Sequence, residues 1–69
     1  MTTLGSLGVG HHGEIMDARG QCRLMELGFL PGAAVEVISD GDTMLVRLGD
    51  QRMCLRRDSA ERVSVLELD

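Results

Sequence analysis

Tryptophan and tyrosine are absent, and Phe29 is the one aromatic residue in the chain. That shortage removes two modes of recognition. Single-stranded nucleic acids are held by stacking bases on rings, and proline-rich peptides are held in grooves lined with rings. An excess of basic charge is missing as well. The net charge is −4, and the grouped arginines Arg52, Arg56 and Arg57 stand among Asp50, Asp58 and Glu61. Phosphate backbones require dense Lys and Arg, so this mixture reads as a solvated face and no nucleic-acid partner is expected. No apolar run approaches the roughly 20 residues that cross a bilayer, so membrane insertion is not expected. "MTTLGSLG" at the N-terminus has neither the basic nor the apolar segment of a secretory signal. Cys22 and Cys54 lie far apart in sequence and form no C-x-x-C pair. Reduced thiols in the cytosol are the simplest expectation.

What remains is a chain of 69 residues, read as one domain over residues 1–69. A domain of this size buries only about 60% of the surface its unfolded chain exposes, so its core is thin. Leu4 and Leu7 are spaced for one helical turn, and glycines 8, 10 and 13 then loosen the chain. "GEIMDA" (Gly13 to Ala18) predicts a short strand with Ile15 on one face and Glu14 and Met16 on the other. Gln21 to Leu27 predicts a helix with Leu24 and Leu27 on a buried stripe. Gly28 fits the left-handed C′ position that ends a helix, and Pro31-Gly32 suits the centre of a type II turn. "AVEVIS", "TMLVRL", "QRMCLR" and "RVSVLEL" then alternate as strands. Their inward residues are Val35 and Val37, then Met44, Val46 and Leu48, then Met53 and Leu55, then Val63 and Val65. Asp40-Gly41, with Asp42 in reach, and Gly49-Asp50 are hairpin turns. "DSAE" predicts one helical turn with Asp58 as N-cap and Glu61 completing a capping box. About five short strands at hairpin spacing, with one inserted helix, predict an all-β fold. A small closed barrel removes the exposed edges of such strands.

Several motifs point to chemistry that their context does not support. "GVGHHG" spells G-x-G-x-x-G, but only seven residues precede it and a strand follows, so it cannot open a dinucleotide-binding βαβ unit. His11 and His12 are weak metal candidates, because adjacent residues on an extended chain face opposite ways. Asp40 and Asp42 lack the later ligands of a calcium loop. No nucleophile, base and orienting group can be assembled, and the core leaves little room for a pocket. An enzyme and a bound cofactor are therefore not expected. The methionines Met16, Met25, Met44 and Met53 fit a ring-poor core better than a contact surface.

"RLMELGFLPGAAVEV", then Gly41-Asp42, then "MCLRRDSAERVSV" resembles the FeoA family in order and spacing. The signature positions are Leu24, Leu27, Gly28, Leu30, Pro31, Gly32, Val35 and Val37, followed by Met53 to Arg56 and by Val63 and Val65. The likeness runs from about Leu4 to Val65. Thr43 stands where the family often has Pro, and Cys54 where it often has Ala, which implies a small buried residue at Cys54. The resemblance implies a small SH3-like β-barrel that also resembles the C-terminal domain of iron-dependent repressors. It implies a cytosolic accessory protein of bacterial ferrous iron uptake. Such a protein binds the membrane permease FeoB at its cytosolic G-protein domain and modulates transport. Two other readings stay open. One is a metal-responsive module in which His11, His12 and Cys22 contact ferrous iron transiently. The other is a self-associating structural protein, a weak homo-oligomer. For the partner surface the residues singled out are Met25, Phe29 and Leu30, with Leu24 and Leu27 assigned to the core.

Overall fold

The computed structural model describes residues 2–68. The chain runs β1 (Thr2–Thr3), a 3-10 turn (Leu4–Ser6), β2 (His12–Asp17), α1 (Cys22–Glu26) and β3 (Ala34–Ser39). It continues through β4 (Thr43–Leu48), β5 (Gln51–Arg56), α2 (Arg57–Ala60) and β6 (Ser64–Glu67). All strand pairs are antiparallel. They form one six-stranded sheet in the order β1-β6-β2-β3-β4-β5. The sixth strand, β1, is a two-residue addition in which Thr2 and Thr3 face Val65 and Ser64. Two residues are too few to show a period, so the sequence pattern missed it.

Alternation decides the core. Ile15, Val35, Val37, Met44, Val46, Leu48, Leu55 and Val65 face inward from the strands, joined by Leu4, Leu7, Ala60 and Val63 from the connections. Each large side chain buried in this way contributes about 1.5–3 kcal/mol. The methionines divide. Met44 is fully buried and Met53 packs on the core, but Met16 and Met25 are exposed. "GVGHHG" does not open a helix, since Gly13 lies inside β2.

The sheet curls into a body of 24 × 23 × 23 Å without closing, because β1 and β5 end it and do not pair with each other. The closed barrel is therefore corrected to an open, strongly curled sheet. Its two ends are joined through α2 and the 3-10 turn, which pack together. Arg57 carries much of that junction. Its Nη1 donates to Gly5 O at 2.9 Å and its Nε to Gly41 O at 3.1 Å. Its Nη2 meets the Asp40 carboxylate. One guanidinium thus ties the β3–β4 hairpin tip to the 3-10 turn, a use of the rigid five-donor fork that Lys could not copy. Gln21 makes a second tie, donating from Nε2 to Ala18 O at 3.0 Å and Ser59 O at 3.2 Å.

Two local expectations are overturned here. Asp58 does not cap α2, which begins at Arg57 with Arg56 in the cap position and no side-chain cap bond. β5 runs straight into the helix, and the Arg57 N–H is satisfied by Asp42 O at 2.9 Å. Asp58 instead lies in the first turn, where its charge favours the helix dipole. Cys54 is exposed rather than buried. It alternates with the buried Leu55, and strand parity puts it on the outer face.

Candidate partner surface

The segment from α1 to β3 is built by its helix ending. Leu24 is the one buried residue of α1. The Gly28 N–H donates to Met25 O at 3.1 Å and the Phe29 N–H to Leu24 O at 3.0 Å. This pair of bonds is a Schellman motif, with Gly28 at C′ and Phe29 at C″. Gly28 has φ +110°, and a Cβ there would lie 3.1 Å from Leu48 Cδ2. Only glycine satisfies both conditions. The chain then turns through Pro31-Gly32, with φ +95° at Gly32 and the Ala33 N–H donating to Leu30 O at 3.0 Å. Those are the features of a type II turn. Gly32 N–H to Ile15 O and Ile15 N–H to Ala33 O, both 2.8 Å, pin the turn to β2.

This geometry sorts the apolar residues differently from their spacing. Phe29 is 0% exposed, and Leu27 is 47% exposed. Both assignments are corrected: Phe29 is core and cannot meet a partner in this conformation, and Leu27 is surface. The Schellman motif folds C″ back over C3, which presses Phe29 against the body beside Leu24. Leu27 sits at the C-cap with αR dihedrals and its N–H donating to Arg23 O, yet this short helix turns only Leu24 into the core. Met25 and Leu30 are 40% and 47% exposed. Met25, Leu27 and Leu30 thus form the apolar exterior of a segment whose backbone is held at several points. Beside Leu27 runs an open groove of about 490 Å³ lined by Leu27, Gly28, Ala33, Ala34, Leu48 and the residues 49–51. Leu27 was missed because a three-residue spacing does not show that so short a helix buries one residue alone.

The histidines diverge. His11 Nδ1 lies 3.0 Å from Glu67 on β6, while His12 Nε2 lies 3.7 Å from Glu36 on β3. β2 runs between those two strands, so neighbouring rings reach opposite sides. Arg47 Nη2 shares Glu36 at 2.7 Å. A cavity of about 90 Å³ lies beside His12, Glu36 and Arg47, below the size of a small-molecule pocket. Among the described residues, no three His, Cys, Asp or Glu side chains converge as a metal cluster. Cys22 is exposed on α1. No helix among the described residues is long and apolar enough to cross a membrane.

A curled antiparallel sheet with a short helix between its second and third strands, and a helical turn before its last, is the architecture of a small SH3-like β domain. The chain belongs to the FeoA family, whose FeoA domain matches residues 2–67. Among solved structures, it is similar to Stenotrophomonas maltophilia FeoA in complex with zinc, which is described as a procaryotic SH3 domain protein. Identity is 29% over 94% of this chain and 89% of that one, with TM-score 0.86. It is similar to Chlorobium tepidum FeoA at 28% identity, over 99% of this chain and 71% of that one, with TM-score 0.91. A manganese-dependent transcriptional repressor shares the fold at 15% identity and TM-score 0.81, over 96% of this chain and 41% of that one. A search of curated proteins gave no significant match.

Proposed function

We propose that this chain is a cytosolic accessory protein of ferrous iron uptake. It binds the FeoB permease at its cytosolic G-protein domain and modulates transport. The observation that carries the reading is an apolar exterior, Met25, Leu27 and Leu30, on the signature segment of a FeoA-family fold. The related S. maltophilia protein is described as a candidate activating factor for bacterial ferrous iron transport, which supports the same role. Exposed apolar side chains on a fixed backbone suit docking, because little conformational entropy is lost when they are covered.

Binding to the FeoB cytosolic domain from the same organism, with and without guanine nucleotide, tests the proposal. Met25→Asp and Leu30→Asp should each weaken binding about tenfold or more, with the thermal midpoint retained. No binding by the parent chain in either nucleotide state, together with unchanged iron uptake in a deletion strain, would sink it.

A further inference from the structure

We propose that the open edge of β5 is a strand-addition site for an extended acidic segment of another protein. This surface uses residues 52–56 and adjoins the groove beside Leu27 only at Gln51, and the proposal does not depend on the role in iron uptake.

Leu48 and Gln51 close the β4–β5 hairpin across a two-residue turn, and the register continues unbroken to Thr43 and Arg56. One step further, the Arg57 N–H donates to Asp42 O. Hydrogen-bonded pairs in an antiparallel ladder come at every second residue. Counting back from Arg57 assigns Leu55, Met53 and Gln51 to bonds with β4. The backbone groups of Arg52, Cys54 and Arg56 therefore point away from the sheet. Arg56 is the N-cap of α2, so its C=O is taken by the first helical turn. The N–H and C=O of Arg52 and Cys54 and the N–H of Arg56 have no turn or loop bond among the described residues. The strand has no proline, no glycine and no bulge, so of the usual protections of an edge only charge is present.

That charge is specific. Arg52 and Arg56 are exposed, and neither has an ion pair among the described residues. Asp50, Asp58 and Glu61, their sequence neighbours, form no ion pair with them. By contrast Arg47 is paired with Glu36, and Arg57 with Asp40. In a chain of net charge −4, two guanidinium groups without an ion pair lie along the same open edge. They share the outer face with Cys54 between them, about 13 Å apart along the strand. A strand added there would satisfy the outward N–H and C=O groups and place side chains directly opposite Arg52 and Arg56. Carboxylates four residues apart complement them, with a small apolar side chain opposite Cys54. A second copy of this chain, paired about Cys54, would set Arg52 against Arg56 twice, and like charges in that position are destabilising. Complementarity to two arginines on one open edge makes a different, acidic chain the proposed occupant.

The test uses the full chain labelled with 15N and the synthetic peptide acetyl-Thr-Glu-Thr-Val-Thr-Glu-Thr-amide. In the free protein, the amides of Arg52, Cys54 and Arg56 should exchange rapidly while those of Met53 and Leu55 are protected. The peptide should shift the resonances of all three edge residues and slow their exchange. The variant Arg52→Glu/Arg56→Glu should lose about tenfold in affinity. It should still fold, because a Glu at position 52 faces Arg47. The peptide with Lys in place of Glu, and the peptide N-methylated at alternate amides, should both fail to bind. Protection of the three edge amides in the free chain overturns the proposal, and that measurement needs no variant. So does peptide binding that survives N-methylation, since charge alone would then explain it. Preferential shifts at this edge with oligo(dT), or a concentration-dependent dimer through β5, would overturn it in favour of another occupant.

Discussion

The α1–β3 segment and the β4–β5 hairpin leave opposite things undone at the surface. Between Leu24 and Ala33 the backbone donors of Leu27, Gly28, Phe29, Leu30, Gly32 and Ala33 all find acceptors within the chain. What that segment exposes is apolar side chain: Met25, Leu27 and Leu30. The hairpin does the reverse. Its apolar side chains Met44, Val46, Leu48 and Leu55 are buried, and it exposes backbone at the β5 edge beneath charged side chains. The first surface suits recognition by shape and loss of apolar area. The second is directional, because hydrogen bonds fix a partner's direction and register. A small domain can thus offer two unlike contacts without a pocket.

The largest effect expected from breaking this contrast is at Phe29. Phe29→Ala should cost about 3–5 kcal/mol, as much as a core of this size supplies in total. Chemical denaturation should show a chain that is largely unfolded. Its neighbour Leu30, exposed on the same turn, should lose less than about 1 kcal/mol as Leu30→Ala, because little area is uncovered.

Next comes the pair that spacing treats as equals. Leu24→Ala should cost about 2–4 kcal/mol, while Leu27→Ala should cost about 1 kcal/mol or less. Equal losses in urea melts would return Leu27 to the core.

Adjacent arginines separate in the same way. Arg57→Ala removes one contact to the 3-10 turn and two to the β3–β4 hairpin tip. It should cost about 1–2 kcal/mol, and Arg56→Ala about 0.5 kcal/mol or less. Calorimetric midpoints of the two variants measure the difference directly. Hydrogen exchange at the β3–β4 hairpin tip should rise only in Arg57→Ala.

The smallest effect has the opposite sign. Arg19 adopts φ +57° at the turn before α1, a conformation that costs most side chains about 1 kcal/mol. Arg19→Asn should raise stability by about 0.5 kcal/mol, because Asn tolerates that region. A lower melting temperature would mean that the Arg19 side chain contributes something the backbone does not show.

Much of this fold was legible because alternation is a strong, local code. The buried faces of β3, β4 and β5, the hairpins at Asp40-Gly41 and Gly49-Asp50, and the turn at Pro31-Gly32 all follow from residues within a few positions of each other. The errors have separate origins. Leu27 was assigned to the core by its three-residue spacing from Leu24 in a helix that buries Leu24 alone, and Phe29 to the surface because it and Leu30 flank a turn. The signal for Phe29 was nonetheless present, since a glycine at C′ implies a hydrophobic contact between C″ and C3. Cys54 was misplaced by analogy with alanine although its parity put it outside. The edge residues Arg52 and Arg56 could have been located by counting outward from the second hairpin turn. Arg57 could not, since its acceptors at Gly5 and Gly41 lie 52 and 16 residues away.

By itself, the sequence determined which side chains share a face, where the chain reverses and where glycine is required, because those depend on short-range sterics and on a period of two. The tertiary structure alone decided that the sheet stays open and that Arg57 bridges its ends. It also decided that β1 adds to β6 and that the two histidines part company across β2. Each of these is set by segments far apart in sequence meeting in space, where hydrogen bonds and buried area, rather than local preference, select the arrangement.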